Sequence, residues 1–415
     1  MTLFEKYARI FALSTLFAAS NALPYIHFKF YDIIRAATQT TNTELGYLMT
    51  VFIIVSIIIY LPAGIIGDRW STRKILCGCA LITTVCNIVF ALIPSFTSAL
   101  IIWGVLAISA CGVYPCLIKA VRVSGSKEEQ GRMFGTFLGV QGFVMVIIGF
   151  IDAYIYEMFP DQMDGLKYML FFQAFALIIA IGCVCMFIKD KTPYDSYEEE
   201  GQQVQNQSIW TTLLEVLKSG RVWVLVILIT CSYGCYISMG YMTPYTTNVL
   251  GASITFGAVL GTIRVYGIRI FAGPISGYIA DKLGNSSRLM IIAYVIFIGL
   301  ILYLLNMSSD TSHNVIIAIT MFISFACMMF YCVMYASMEE VRIPPHQTAT
   351  AVSVITIFSS MPDAIFGLLY GHWLDVQGPV QGYVTIFNFI AVLACIGLAA
   401  TIAVNIIGRK QAVEK

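Results

Sequence analysis

The 415-residue sequence predicts an all-α membrane protein, with twelve transmembrane helices in two pseudo-symmetric six-helix bundles. Three observations predict it. Hydrophobic residues make up 59% of the chain and charged residues only 11%, where soluble domains carry about 25% charged. Twelve apolar segments each reach the roughly 20 residues that one bilayer crossing needs. A short loop pattern recurs 213 residues apart, close to half the chain.

The first six spans are predicted near 8–28, 45–66, 75–93, 97–118, 133–155 and 167–188. Span one carries Asn21 and Tyr25 at comparable depth and closes on Lys29, read as interfacial and able to draw anions inward. Span two runs into the loop PAGIIGDRWSTRK. Span three holds Cys77, Cys79 and Cys86, part of a set of twelve cysteines that all fall in apolar runs. None forms a CxxC pair and four histidines are too scattered for a zinc cage, so the thiols read as small packing residues and no metal site or other cofactor is expected. Span four ends on Lys119 and Arg122, read as topology determinants. Span five holds Gln141 at mid-depth and Asp152 near its external end.

A hydrophilic stretch, Lys189–Gly220, follows span six. It contains Asp190, Asp195, the run Glu198–Glu200 and a Gln/Asn-rich segment, so it reads as a solvated cytoplasmic linker with a short amphipathic helix at Ile209–Lys218. The expected division is therefore 1–188, a linker at 189–220, and 221–415. The second six spans fall near 222–246, 255–280, 289–306, 314–337, 348–371 and 383–407. Span seven is dense in tyrosine (Tyr233, Tyr236, Tyr241, Tyr245), with Tyr266, Tyr331 and Tyr335 on spans eight and ten. Span eleven carries Asp363 directly after Pro362, a bend signal. Span twelve holds Asn388.

Lysine and arginine test the count. Nineteen fall in loops on one side, only Lys29, Arg35 and Lys167 on the other, and Arg264 and Arg269 lie inside span eight. So lopsided a split follows the positive-inside rule, and both termini are expected in the cytoplasm. The near-zero net charge of +1 argues against a nucleic-acid partner. Met1–Arg9 has the charges of a signal peptide, but the run behind it is a full span without a small-residue cleavage site.

The loop after span two, PAGIIGDRWSTRK, is echoed after span eight by GPISGYIADKLGNSSR. In each copy a glycine precedes an aspartate by four residues, and a basic residue follows the aspartate. Duplication of a six-helix unit is a transporter signature. Twelve spans, a long central loop and this motif resemble the major facilitator superfamily over essentially the whole chain. Its pattern G-x-x-x-D-R-x-G-R-R/K matches at Gly64, Asp68, Arg69, Arg73 and Lys74, and its degenerate second copy at Gly277, Asp281, Lys282 and Gly284. Ser71 and Thr72 stand where a turn glycine and an arginine are usual. The resemblance implies that these motifs join the two halves on the cytoplasmic side, with Asp68 near 348–351 and Asp281 near Arg132 and Met133. Span five lacks the glycine–proline motif of proton-driven drug exporters, and span four lacks a central arginine. An arginine buried in span eight resembles the anion branch of the family, which includes oxalate–formate exchangers, nitrate/nitrite porters and hexuronate-type permeases. The segments 115–135 and 261–281 look most like bacterial permeases associated with sugar acids or sulfosugars.

Span eight is the feature that bears on function. A charge at the bilayer centre costs about 2.5–3.5 kcal/mol on insertion scales, so two arginines on one span need an anion, a counter-ion or a polar cavity. Arg269 shares an i, i+4 row with Gly273, Gly277 and Asp281, while Arg264 lies about 140° away on a regular α-helix. One side chain is then expected to face the cavity and the other a neighbouring helix. The resemblance favours Arg269 as the anion ligand, a role that suits the planar guanidinium fork. Gln141, Asn21, Tyr25, Tyr233, Tyr236, Tyr266, Tyr331 and Tyr335 are candidates to bind the rest of a polyhydroxy or acidic substrate. Asp363 and Asp152 are the coupling candidates. For Asp363 the alternative is a hydrated cap, and for Asp152 an interfacial position or a gate with Arg264.

The sequence therefore predicts a secondary transporter of a small organic anion (carboxylate, sugar acid or sulfonate), working by alternating access with proton symport or anion exchange. Expected partners are that anion, membrane lipid and protons, for a monomer in a bacterial inner membrane. Two other readings remain: a transporter-fold sensor of the same ligand, and a carrier of a neutral solute with both arginines internally paired. No Ser/His/Asp or Cys/His set has catalytic spacing, so an enzyme is not expected.

Overall fold

A computed structural model describes residues 3–69, 71–124, 130–188, 209–307, 311–341, 343 and 348–413. The described residues are helical almost throughout and contain no β-strand. Ten helical stretches among them are long and apolar enough to cross a membrane. Two physical facts separate that number from twelve. The helix α1, Leu3–Ala22, carries Glu5, Lys6 and Arg9, which dilute its hydropathy. The last stretch, Val354–Arg409, has 56 residues. At about 1.5 Å per residue one helix of that length would reach roughly 84 Å, far more than a hydrocarbon layer of about 30 Å. Gly378, with φ 75° and ψ 171°, breaks it. Around that glycine the chain folds back: a Cβ on Gly382 would lie 3.0 Å from the Leu374 Cα, and Phe366 and Trp373 both meet the Phe389 ring. Spans eleven and twelve are thus a hairpin.

The described residues fall into two compact units: those within Met1–Gly201 together with Ala252–Gly267, and those within Gln202–Gly251 together with Ile268–Lys415. In the first unit α1 is followed by a turn at Leu23–Ile26 and α2 (His27–Thr38). Then come α3 (Asn42–Arg69), α4 (Thr72–Leu92), α5 (Phe96–Val123), α6 (Gln130–Met158) and α7 (Gln162–Phe187). The helix α3 packs on α5, α4 on α5 and α7, and α1 on α6 and α7. Polar caps end these helices where the chain meets water. Ser71, the residue standing in for the motif glycine, accepts from the Lys74 N–H at 3.4 Å, and Ser95 with Ser98 forms a capping box.

The second unit holds α8 (Ile209–Lys218), the short helix expected in the linker, then α9 (Gly220–Ser238) and α10 (Met242–Asn248). Span eight follows as α11 (Ile254–Thr262), a π turn at Ile263–Gly267 and α12 (Ile268–Leu283). The chain passes from the first unit to the second at the end of that π turn. The remaining helices are α13 (Ser286–Leu305), α14 (His313–Tyr331), α15 (Ser337–Val341), α16 (Thr348–Ser359) and α17 (Met361–Val413). Here α17 packs on α9 and α13, and α14 on α12 and α13.

Candidate functional site

Span one is longer than the 8–28 expected, and it is broken. Pro24 interrupts the helix, and the indole Nε1 of buried Trp103 donates to the freed Pro24 carbonyl at 3.3 Å. The chain then resumes as α2, with Phe30 in a non-helical conformation (φ −122°, ψ 45°). This break carries Lys29 inward.

Lys29 and Asp152, read from sequence as interfacial, are both buried within the first unit. Lys29 is 1% exposed and Asp152 0% exposed, and the ammonium donates to Asp152 Oδ2 at 3.1 Å. Gln173 Nε2, from α7, donates to the same oxygen at 2.8 Å. Asp152 Oδ1 and Gln173 Oε1 are both buried without a hydrogen-bond partner among the described residues. Asp152 is therefore engaged by Lys29, not by the Arg264 gate partner considered from sequence. Neither Gln173 nor Trp103 was singled out from sequence. A lone amide inside the apolar run of span six was the available signal for the first, and Pro24 within span one for the second.

The π turn changes the arginine argument. It contains Arg264 and closes i→i+5 hydrogen bonds, so the 140° separation of a regular α-helix does not describe this stretch. Arg264 lies in the first unit, is 1% exposed, and its Nε donates back to the Leu260 carbonyl at 3.4 Å. Tyr266, beside it in the turn, is also buried.

Arg269 lies in the second unit and is half-buried. Its guanidinium carbon stands 5.6 Å from the centroid of the Tyr331 ring. Tyr331 stacks on Tyr236 at 4.1 Å and 17°, and Tyr233 lies 5.9 Å from Tyr236 and 6.3 Å from Tyr331. The Tyr233 hydroxyl donates to Asp363 Oδ2 at 2.7 Å. Four helices (α9, α12, α14 and α17) thus bring a cation, three tyrosines and a carboxylate into one run of contacts. Pro362 sits in the first turn of α17, where its missing N–H costs no helical bond, and so positions Asp363 at the helix start. The arrangement offers a charge, an aromatic platform and hydroxyls, which suits a compact polar solute.

The other expected residues are more dispersed. Half-buried Asn21 donates to the Phe17 carbonyl at 2.7 Å. Tyr25 packs against Phe28 and Phe52, and Gln141 is buried in α6. Tyr335 is exposed, Tyr245 packs edge-on against Tyr383 and Phe387, and Asn388 is exposed on α17. In the second motif copy Lys282 lies 4.6 Å over the Tyr278 ring, and Gly284 adopts φ 74°, the left-handed turn that glycine permits. Arg73 is half-buried at the start of α4. The side chains of Asp68, Arg69 and Asp281, and the position Gly64, lie outside the residues whose side chains are described, as do the contacts expected of them.

Ten helical stretches of membrane-crossing length among the described residues define a polytopic membrane protein. The sequence profile of the Major Facilitator Superfamily matches residues 8–367, and the chain belongs to that superfamily. It is 24% identical over 406 residues to the inner membrane protein YihN of Escherichia coli K12, covering 96% of this chain and 95% of that one. It is 25% identical over 386 residues to the inner membrane protein YqcE of the same organism, covering 92% and 90%. Among solved structures, a bacterial homologue of the human lysosomal transporter Spinster superposes with a TM-score of 0.77 at 13% identity, covering 97% and 98% of the two chains. The D-xylose–proton symporter gives 0.74 at 12% identity and 97% of each. Membership of that superfamily places the chain among transporters rather than enzymes.

Proposed function

We propose that this transporter moves a small organic anion of the carboxylate, sugar-acid or sulfonate type by alternating access, as a monomer in a bacterial inner membrane. Arg269 carries the reading. It is a half-buried guanidinium inside a membrane span, set against the Tyr331–Tyr236 aromatic stack. An intramembrane cation is a functional-site hypothesis by default, and the guanidinium fork matches planar or tetrahedral oxyanions. Tyr233, Tyr236 and Tyr331 would hold the uncharged part of the solute, and Tyr335, Tyr266, Arg264, Asn21, Tyr25 and Gln141 remain candidate contacts. Asp363 and Asp152 are the acids through which proton symport would run, with anion exchange as the other drive. The two loop motifs, Gly64/Asp68/Arg69/Arg73 and Gly277/Asp281/Lys282, would serve the conformational cycle, and both termini would be cytoplasmic.

The test is counterflow into proteoliposomes loaded with D-glucuronate, isethionate, inorganic phosphate or D-xylose, across a range of pH. Counterflow with an anion and none with D-xylose supports the reading. Counterflow with D-xylose alone would replace it with a neutral-solute carrier.

A further inference from the structure

We propose that α8, the short helix between the sixth and seventh spans, lies in the headgroup layer of the bilayer and takes anionic lipid as its partner, whatever solute is carried. Leu214 is 55% exposed and Leu217 38% exposed, although Val216 between them is fully buried. At about 100° per residue the two leucines lie about 60° apart on one side of the helix, with Val216 about 100° from Leu217. The helix packs on α9 and α16. One edge of its apolar side is therefore covered by protein, and the adjoining leucine strip stands open among the described residues. Two leucines turned to water are disfavoured; at the boundary between headgroups and acyl chains they are favoured.

The placement of α8 decides in favour of lipid. Only Ser219 separates it from α9, and the apolar stretch of the seventh span begins at Gly220. Ser219, with ψ 107°, ends α8 so that α9 leaves in a new direction. Trp223, in the first turn of α9, donates its indole Nε1 to the Leu217 carbonyl at 2.7 Å, and its ring meets that of Phe358 on α16 at 5.2 Å. The helix α8 is thus held beside the membrane end of α9. Ile227, one turn beyond Trp223 on α9, and Ile357, next to Phe358 on α16, are both exposed and mark lipid-facing flanks. The leucine strip adjoins this surface at the depth where an indole ring is favoured. The charges fit the same partner. Lys218, about 40° from Leu214 on the helix, and Arg221, at the start of α9, are exposed and make no ion pair among the described residues. Their stems can follow the apolar surface while their charges reach lipid phosphates, and each such cation adds attraction to an anionic leaflet. Glu215, the acid of α8, lies about 160° from Leu217, on the side away from lipid.

Photocrosslinking of the full chain, in nanodiscs of equal phosphatidylglycerol and phosphatidylcholine, reads what covers the strip, with adducts identified by mass spectrometry. Leu214→p-benzoylphenylalanine should capture lipid, with phosphatidylglycerol enriched about threefold or more over phosphatidylcholine, as two nearby cations favour. Ile227→p-benzoylphenylalanine should also capture lipid, which shows that the assay reports a lipid-facing position, and Glu215→p-benzoylphenylalanine should capture none. Adding Lys218→Gln and Arg221→Gln to the Leu214 variant should keep the lipid adduct and remove the enrichment. All five positions are exposed, so none of these substitutions disturbs a packed core. A Leu214 adduct to protein, or no adduct there while Ile227 captures lipid, overturns the proposal. Equal capture of the two lipids at Leu214, or lipid capture at Glu215 matching that at Leu214, overturns it as well.

Discussion

Replacing Arg269 tests the anion reading most directly, because that reading rests on its guanidinium. The guanidinium lies 5.6 Å from the Tyr331 centroid. A partly exposed cation–π contact of this kind is worth about 0.5–1 kcal/mol. The lost anion contact is larger. Truncating one partner of a hydrogen-bonded charge pair costs about 2–5 kcal/mol, which at 1.4 kcal/mol per tenfold is about 30-fold to 4,000-fold in Kd. Arg269→Ala should therefore stay folded and monodisperse while its D-glucuronate-induced thermal shift disappears. Arg269→Lys keeps the charge without the fork, and its affinity should fall between the two. Arg264→Ala provides the contrast. That side chain is fully buried in the π turn, so its removal should lower the melting temperature in the absence of ligand. Differential scanning fluorimetry with and without ligand reads both quantities for each variant. A full ligand shift in Arg269→Ala would refute the assignment, and loss of the shift only in Arg264→Ala would exchange the two roles.

Asp363→Asn should leave counterflow intact and abolish pH-driven accumulation in proteoliposomes; unchanged accumulation would make Asp363 structural. A Cβ on Gly149 would lie 2.5 Å from Thr262 Cγ2 and 2.6 Å from its Oγ1, so Gly149→Ala should destabilise by about 1–3 kcal/mol. Adding Thr262→Ala should recover most of the lost melting temperature. The Cys77 and Cys185 sulfurs are 3.7 Å apart on α4 and α7, so copper–phenanthroline oxidation should join them, seen as a linked peptide pair by mass spectrometry and lost in Cys77→Ser.

The fold was legible because membrane folding is dominated by one variable. Runs of about 20 apolar residues, and the sorting of lysine and arginine between loops, depend only on the order of residues along the chain. They predicted an all-helical membrane fold before any contact was known, and the loop motif led to the superfamily. Local geometry was less legible. Sequence periodicity assumes a regular helix, and the π turn at Ile263–Gly267 breaks that assumption between the two arginines whose directions mattered most. The tyrosines of span seven were visible as a density. That Tyr236 stacks on Tyr331 and Tyr233 holds Asp363 required the packing of α9 against α14 and α17, which no spacing along one helix specifies.

Lys29 and Asp152 show why buried charge is the hardest term to read. Each sits near the end of an apolar run, where hydropathy alone assigns it to the headgroup region and favours snorkelling toward water. What decides burial is the partner, and here the partners are 123 residues apart in sequence. The break at Leu23–Ile26 bends span one so that Lys29 points inward instead of ending the span, and Trp103 satisfies a backbone carbonyl that the break leaves open. A proline in a first span, a lysine a few residues beyond it, an acid near the end of span five and a glutamine inside span six look unremarkable singly. Together the lysine, the acid and the glutamine satisfy most of one another's polar requirements, which no one of them could do alone.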